Sequence, residues 1–105
     1  MLCLNARGEV IADRVVAMGT PLGLVVTPRE VLREALRYGA TNVLAWHNHP
    51  TGTTEPSRED VAITRQLREA GDILGVPLND HLILGRETWY SFRLGEQWDQ
   101  HRSSR

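Results

Sequence analysis

Two histidines one residue apart, His47 and His49, are followed by a hydroxyl at Ser57 and a carboxylate at Asp60, all within fourteen positions. The run Asn42 to Trp46 ahead of them is apolar enough for a buried strand. Side chains on a strand alternate faces with period two, so His47 and His49 should leave its end on the same side. Two imidazoles then point at one spot. A zinc ion takes three or four N, O or S donors at roughly 2.0–2.2 Å, and a catalytic zinc keeps one position for water. Asp60 is available as the third donor. The same residues have a purely structural reading, with Ser57 as the N-cap of a helix and Asp60 as the acidic third residue of its capping box. The readings are compatible, because Ser57 can cap while its hydroxyl faces an ion.

The elements that must hold these groups follow from pattern and punctuation. Residues 1–4 and 9–18 read as two strands around the turn Asn5-Ala6-Arg7-Gly8. Thr27 can cap a helix, Pro28 suits its first position and Glu30 completes a capping box, with Val31, Leu32, Ala35 and Leu36 at helical spacing; the spacing predicts a helix over about 28–38, stopped by Gly39. After the strand at 42–46 comes a loop, His49 to Pro56, rich in Pro, Gly and Thr. A second helix should start at Ser57, bury Ile63, Leu67, Ala70 and Leu74, and end near Gly75. His81 to Leu84 and Trp89 to Phe92 read as two further strands joined by Gly85-Arg86-Glu87-Thr88. The order β-β-α-β-α-β-β predicts an α/β or α+β domain with a largely antiparallel or mixed sheet. Residues 95–105 are polar and read as a tail.

Composition narrows the function classes. At 105 residues the chain makes one small domain, and its hydrophobic fraction of 41% is ordinary for a soluble protein. No apolar run approaches the roughly 20 residues of a membrane span, and the N-terminus lacks the features of a secretory signal. With the single Cys3 unable to form an internal disulfide, a cytoplasmic location is expected. The net charge of -1 gives no support to nucleic-acid binding, which needs clustered basic residues. All twelve basic residues are Arg, most simply a genome composition bias.

The spacing His-x-His-Pro, six residues, Ser, two residues, Asp, carried by His47, His49, Pro50, Ser57 and Asp60, resembles the JAMM metal motif of MPN/JAB-domain metallopeptidases. The flanking stretches HNHPTGTTEPSRED, LREAGDILGVPLNDHLILG and VVTPREVLREAL are similar to the C-terminal domain of RadC-like proteins, and the likeness covers the chain to about residue 94. It implies a cytidine-deaminase-like MPN/JAB fold, a mixed sheet flanked by two main helices. It also implies that His47, His49 and Asp60 are zinc ligands with water in the fourth position, and that Ser57 hydrogen-bonds a developing oxyanion. The implied activity is hydrolysis of a peptide or isopeptide bond in a peptide or protein substrate, by zinc-activated water.

The family also uses a general-base glutamate just upstream of the first strand, a position that falls before residue 1. Glu9, Glu30, Glu55 and Glu59 do not match it, so the expectation is that this chain carries the zinc ligands without their base. An exposed first strand could then pair with another copy, making a homo-oligomer. His81 and Asp80 fall where the family has Asp-His; His81 reads more simply as core, with a contact to the zinc ligands as the alternative. Trp46 reads as core. Readings from other classes are a non-catalytic metal-binding interaction module and, through the association of RadC-like proteins with DNA repair, an accessory protein there.

Overall fold

A hairpin opens the chain. The computed structural model describes residues 1–13, 27–49, 51–95 and 98. Strands β1 (Leu2–Leu4) and β2 (Val10–Asp13) flank a turn in which Asn5 Oδ1 accepts from the Arg7 and Glu9 amides at 2.9 and 3.0 Å. This is the side-chain mimicry of a backbone turn that asparagine favours. The part of the expected second strand beyond Asp13 lies outside the described residues.

Helix α1 (Pro28–Arg37) starts as its sequence dictates, with Pro28 in the first turn and the Thr27 amide donating to Glu30 Oε2 at 3.1 Å. Strand β3 (Asn42–Asn48), helix α2 (Arg58–Leu74), strand β4 (Leu78–Leu84) and strand β5 (Trp89–Ser91) follow. Helix α2 ends at Gly75, whose φ of 76° is the left-handed conformation that suits glycine at a helix stop.

Among the described residues five strands form one mixed sheet in the order β2-β1-β3-β4-β5. Only β3 and β4 run parallel; β1 is antiparallel to both β2 and β3, and β5 to β4. The α2 crossover between β3 and β4 is the connection that a parallel pair needs. Two expected boundaries change as a result. Pairing with Ile83 and Leu84 carries β3 through His47 and Asn48 instead of ending it at Trp46, and β4 begins at Leu78, with an irregularity opposite Val43/Leu44. The first strand, expected to offer a free edge, has neighbours on both sides; among the described residues the outer strands are β2 and β5.

Alternation sorts the central strands cleanly. Cys3, Val43, Ala45 and Ile83 are buried and meet Val31 and Ala35 of α1 and Leu67 of α2 in one core. Trp46 points the other way and is only half-buried, so it is not core. His47 neighbours it in sequence and belongs to the helix side. Trp98 lies in the stretch expected as a polar tail, yet it is buried in the core with the Arg68 guanidinium 3.7 Å from its ring centroid. Its ring covers the guanidinium, an arrangement that combines apolar burial with cation–π attraction. No helix among the described residues is long and apolar enough to cross a membrane.

Candidate metal centre

Strand β3 delivers His47 inside its last turn of the ladder and His49 one residue beyond it. Two-residue spacing sends both rings the same way, and their centroids are 5.0 Å apart. Helix α2 supplies the third group from its first turn. The Ser57 hydroxyl accepts from the Asp60 amide at 3.0 Å while the Ser57 amide donates to Asp60 Oδ2 at 2.8 Å, so the expected capping box is complete. The box turns the Asp60 carboxylate toward the histidines. Asp60 Oδ2 is 2.8 Å from His49 Nε2, and Asp60 Oδ1 is 3.1 Å from His47 Nε2.

Among the described residues, His47, His49 and Asp60 form the group able to hold a metal ion, with one ligand atom from each lying within 4.8 Å of the others. Donors about 2.0–2.2 Å from a tetrahedral ion stand about 3.3–3.6 Å apart, so small movements suffice. A more exacting test comes from His47 Nε2. It is buried and among the described residues has no hydrogen-bond partner, even though the Asp60 oxygen lies close by. Such an orphan is costly in an apoprotein unless an electrophile satisfies its lone pair. The donor set fits a metal ion.

Protonation favours the same use. Burial pulls the His47 pKa below its ordinary value against the opposing attraction of Asp60, with His49 adding to the lowering, so the neutral ring with a lone pair is favoured. Burial pushes Asp60 the other way, but the Ser57 amide, the His49 and His47 rings and the Ser57 hydroxyl outweigh it and hold the carboxyl below its usual range. A neutral imidazole at His47 and an ionised carboxylate at Asp60 are forms that bind metals.

Behind His47 stands His81. The two rings share the helix side of the parallel strand pair, with His47 Nδ1 2.8 Å from His81 Nε2. His81 is 5% exposed, stacked at an interplanar angle of 11° on Phe92, and reaches Thr64 Oγ1 of α2 with its Nδ1 at 2.6 Å. Burial, then the neighbouring His47, push its pKa down to about 4. His81 is therefore a buried core residue that also contacts His47. Asp80 alternates to the opposite side, where it accepts from the His81 and Arg93 amides at 2.7 and 3.0 Å and from the Ser91 hydroxyl. It ties β4 to the end of β5 and does not reach the cluster.

Thr64 was not singled out by the sequence pattern. Its signal was present: Asp60, Thr64 and Leu67 share one helix face at i, i+4 and i+7, and a buried hydroxyl on such a stripe must find a partner. The glutamates stay apart. Glu9 bonds Asn5, Glu30 bonds Thr27, and Glu55 and Glu59 are exposed; none joins the histidines and Asp60.

The loop between the two halves of the cluster leans on the β4–β5 connection. Thr54 Oγ1 lies 3.4 Å from Thr88 Oγ1, and a Cβ built on Gly85 would stand 2.7 Å from Thr54 Cγ2 and 2.8 Å from the Gly52 carbonyl oxygen. Only a glycine at 85 lets the loop come this close.

Two histidines at the end of β3 and an aspartate in the first turn of α2, converging beside the central parallel strands, define an α+β domain with a donor set that could hold a metal ion. The family model described as RadC-like JAB domain matches residues 1–98, and the chain belongs to that family. A UPF0758 protein of Picosynechococcus is 45% identical over 93 residues, which is 89% of this chain and 38% of that protein. Counterparts under the same name in Clostridioides difficile and Thermotoga maritima are 44% and 43% identical, covering 86% and 89% of this chain and 38% and 42% of their own lengths. The chain thus spans about two fifths of the curated relatives it matches.

Proposed function

We propose that this domain binds zinc through His47 Nε2, His49 Nε2 and the Asp60 carboxylate, and that it forms the metal-holding part of a hydrolase acting on peptide or isopeptide bonds. The observation that carries the reading is the convergence of His47 Nε2 and His49 Nε2 on the two oxygens of the Asp60 carboxylate, at 3.1 and 2.8 Å. Two imidazole nitrogens and a carboxylate gathered this closely make a donor set that a divalent cation would satisfy. When bound, zinc supplies Lewis acidity, making water nucleophilic near neutral pH and polarising a carbonyl.

The protein's own groups divide the remaining work. The capping box orients Asp60, and Ser57 Oγ, which already accepts from the Asp60 amide, retains its proton to donate to a substrate oxygen that gains charge. A base must also take a proton and pass it to the leaving amine. In the register Leu2↔Leu44 and Cys3↔Val43, any residues continuing β1 backwards in a longer protein run beside Trp46 and His47.

Metal analysis of protein purified without chelators tests the reading. About one zinc per chain is expected, lost in His47→Ala; a content near zero that added zinc does not change would end it. The 105 residues alone should hydrolyse peptide substrates slowly or not at all, and robust zinc-dependent turnover would show that a different group serves as base.

A further inference from the structure

The hydrogen-bond chain behind His47 has a direction. A carbonyl oxygen can only accept, so the 2.7 Å contact from Thr64 Oγ1 to the Asp60 carbonyl uses the single hydroxyl proton of Thr64. Thr64 Oγ1 must then accept from His81 Nδ1 at 2.6 Å, which makes His81 the Nδ1–H tautomer. His81 Nε2 is left as an acceptor, and the 2.8 Å contact to His47 Nδ1 requires a proton on His47. Reversing any one link leaves two acceptors or two donors facing each other. The protonation pattern therefore propagates from a helix carbonyl to the far side of the His47 ring.

We propose that Thr64 and His81 are positioning residues that hold His47 as its Nδ1–H tautomer, so that its Nε2 lone pair is presented to the metal cluster before any ion arrives. The polarity explains the orphaned Nε2: with the ring proton committed to His81, nothing remains to donate to Asp60 Oδ1. Ligand histidines usually donate their second nitrogen to a carboxylate, a backbone carbonyl or water. Here the acceptor is an imidazole, clamped by the Phe92 stack and by Thr64, so the orientation is fixed without placing a second negative charge behind the ligand. The chain also ends on the backbone of Asp60 itself, which links the two halves of the donor set through the protein as well as through the ion.

The inference rests on the zinc reading for its purpose but is tested on metal-free protein. In the full 105-residue chain labelled with 15N histidine, long-range 1H–15N spectra near pH 7.5 should show His47 and His81 as Nδ1–H tautomers. His47 as Nε2–H would overturn the proposal regardless of any variant. Thr64→Val keeps the shape and removes the hydroxyl; it should shift the His81 and His47 tautomer signals and weaken zinc binding about 10–100-fold in competition with a chelating dye. Thr64→Ser should restore both to near the parent values. A folded Thr64→Val protein with unchanged tautomers and unchanged zinc affinity would also overturn it. If the parent chain shows the Nδ1–H form yet takes up no zinc, the tautomer assignment stands and the metal reading fails.

Discussion

His47 Nδ1 and His81 Nε2 stand 2.8 Å apart on the helix side of the parallel β3–β4 pair, sharing one proton between a half-buried and a buried ring. The second ring has consequences for acid stability. His81 has its pKa pushed from 6.5 to about 4, first by burial and then by His47. As pH falls, the unfolded chain takes up a proton at His81 near 6.5, whereas the folded one resists until about 4. The contribution is complete above pH 6.5 and is lost as pH falls from 6.5 to about 4. It amounts to roughly 3 kcal/mol. His47, also lowered by burial, adds in the same sense. Urea titrations of the metal-free protein should show stability declining across that window, and His81→Phe should flatten the decline. A parent protein equally stable at pH 7 and pH 4.5 would contradict this.

The two members of the capping box should separate by readout. Ser57→Ala removes the acceptor for the Asp60 amide, a loss of about 1 kcal/mol of stability. Asp60→Asn keeps an oxygen for the Ser57 amide, so stability should change less, while zinc affinity falls by more than the roughly 10–100-fold typical of losing a supporting contact. Equal effects of both substitutions on zinc affinity would show that Asp60 acts only through the helix start.

Gly85→Ala tests the support of the loop. Its Cβ would meet the Gly52 carbonyl at 2.8 Å and the Thr88 carbonyl at 3.1 Å, and backbone atoms cannot swing aside as side-chain ends do. Destabilisation of about 1–3 kcal/mol is expected, together with weaker zinc binding as His49 moves with the loop. Retention of parent stability and affinity would mean that the loop position is immaterial to the cluster.

Trp98 should matter far more than the polar residues around it suggest. Trp98→Ala empties a core position and strips Arg68 of its aromatic cover, with an expected loss of about 3 kcal/mol. Trp98→Phe should recover much of it. A Trp98→Ala protein with an unchanged denaturation midpoint would show that the chain folds without this closing contact.

What could be read from the chain follows the range of the forces involved. Caps are local: Thr27 with Pro28 and Glu30, Ser57 with Asp60, and Gly75 each act within a few residues, and all mark real helix ends. The histidine pair is equally local, since period-two alternation alone aims His47 and His49 together. Partner choice between strands is not local. Nothing around Leu82 states that it lies opposite Trp46 in a parallel ladder, and Asn79-Asp80 interrupts the apolar run where β4 already pairs with β3. That pairing brings His81 behind His47 and lets Thr64 close the chain. Trp46 could have been placed correctly from alternation: with His47 on the helix side, its immediate neighbour must face away.

The Ser57–Asp60 box has an implication for how this domain can change. The three-residue interval is specified twice, once by the reach of a helix's first turn and once by the point at which two strand histidines meet. An insertion between Ser57 and Asp60 would uncap α2 and misplace a ligand together, and a compensating shift could repair only one of them. The hydrogen bonds that start the helix therefore also hold Asp60 beside the histidines without an ion.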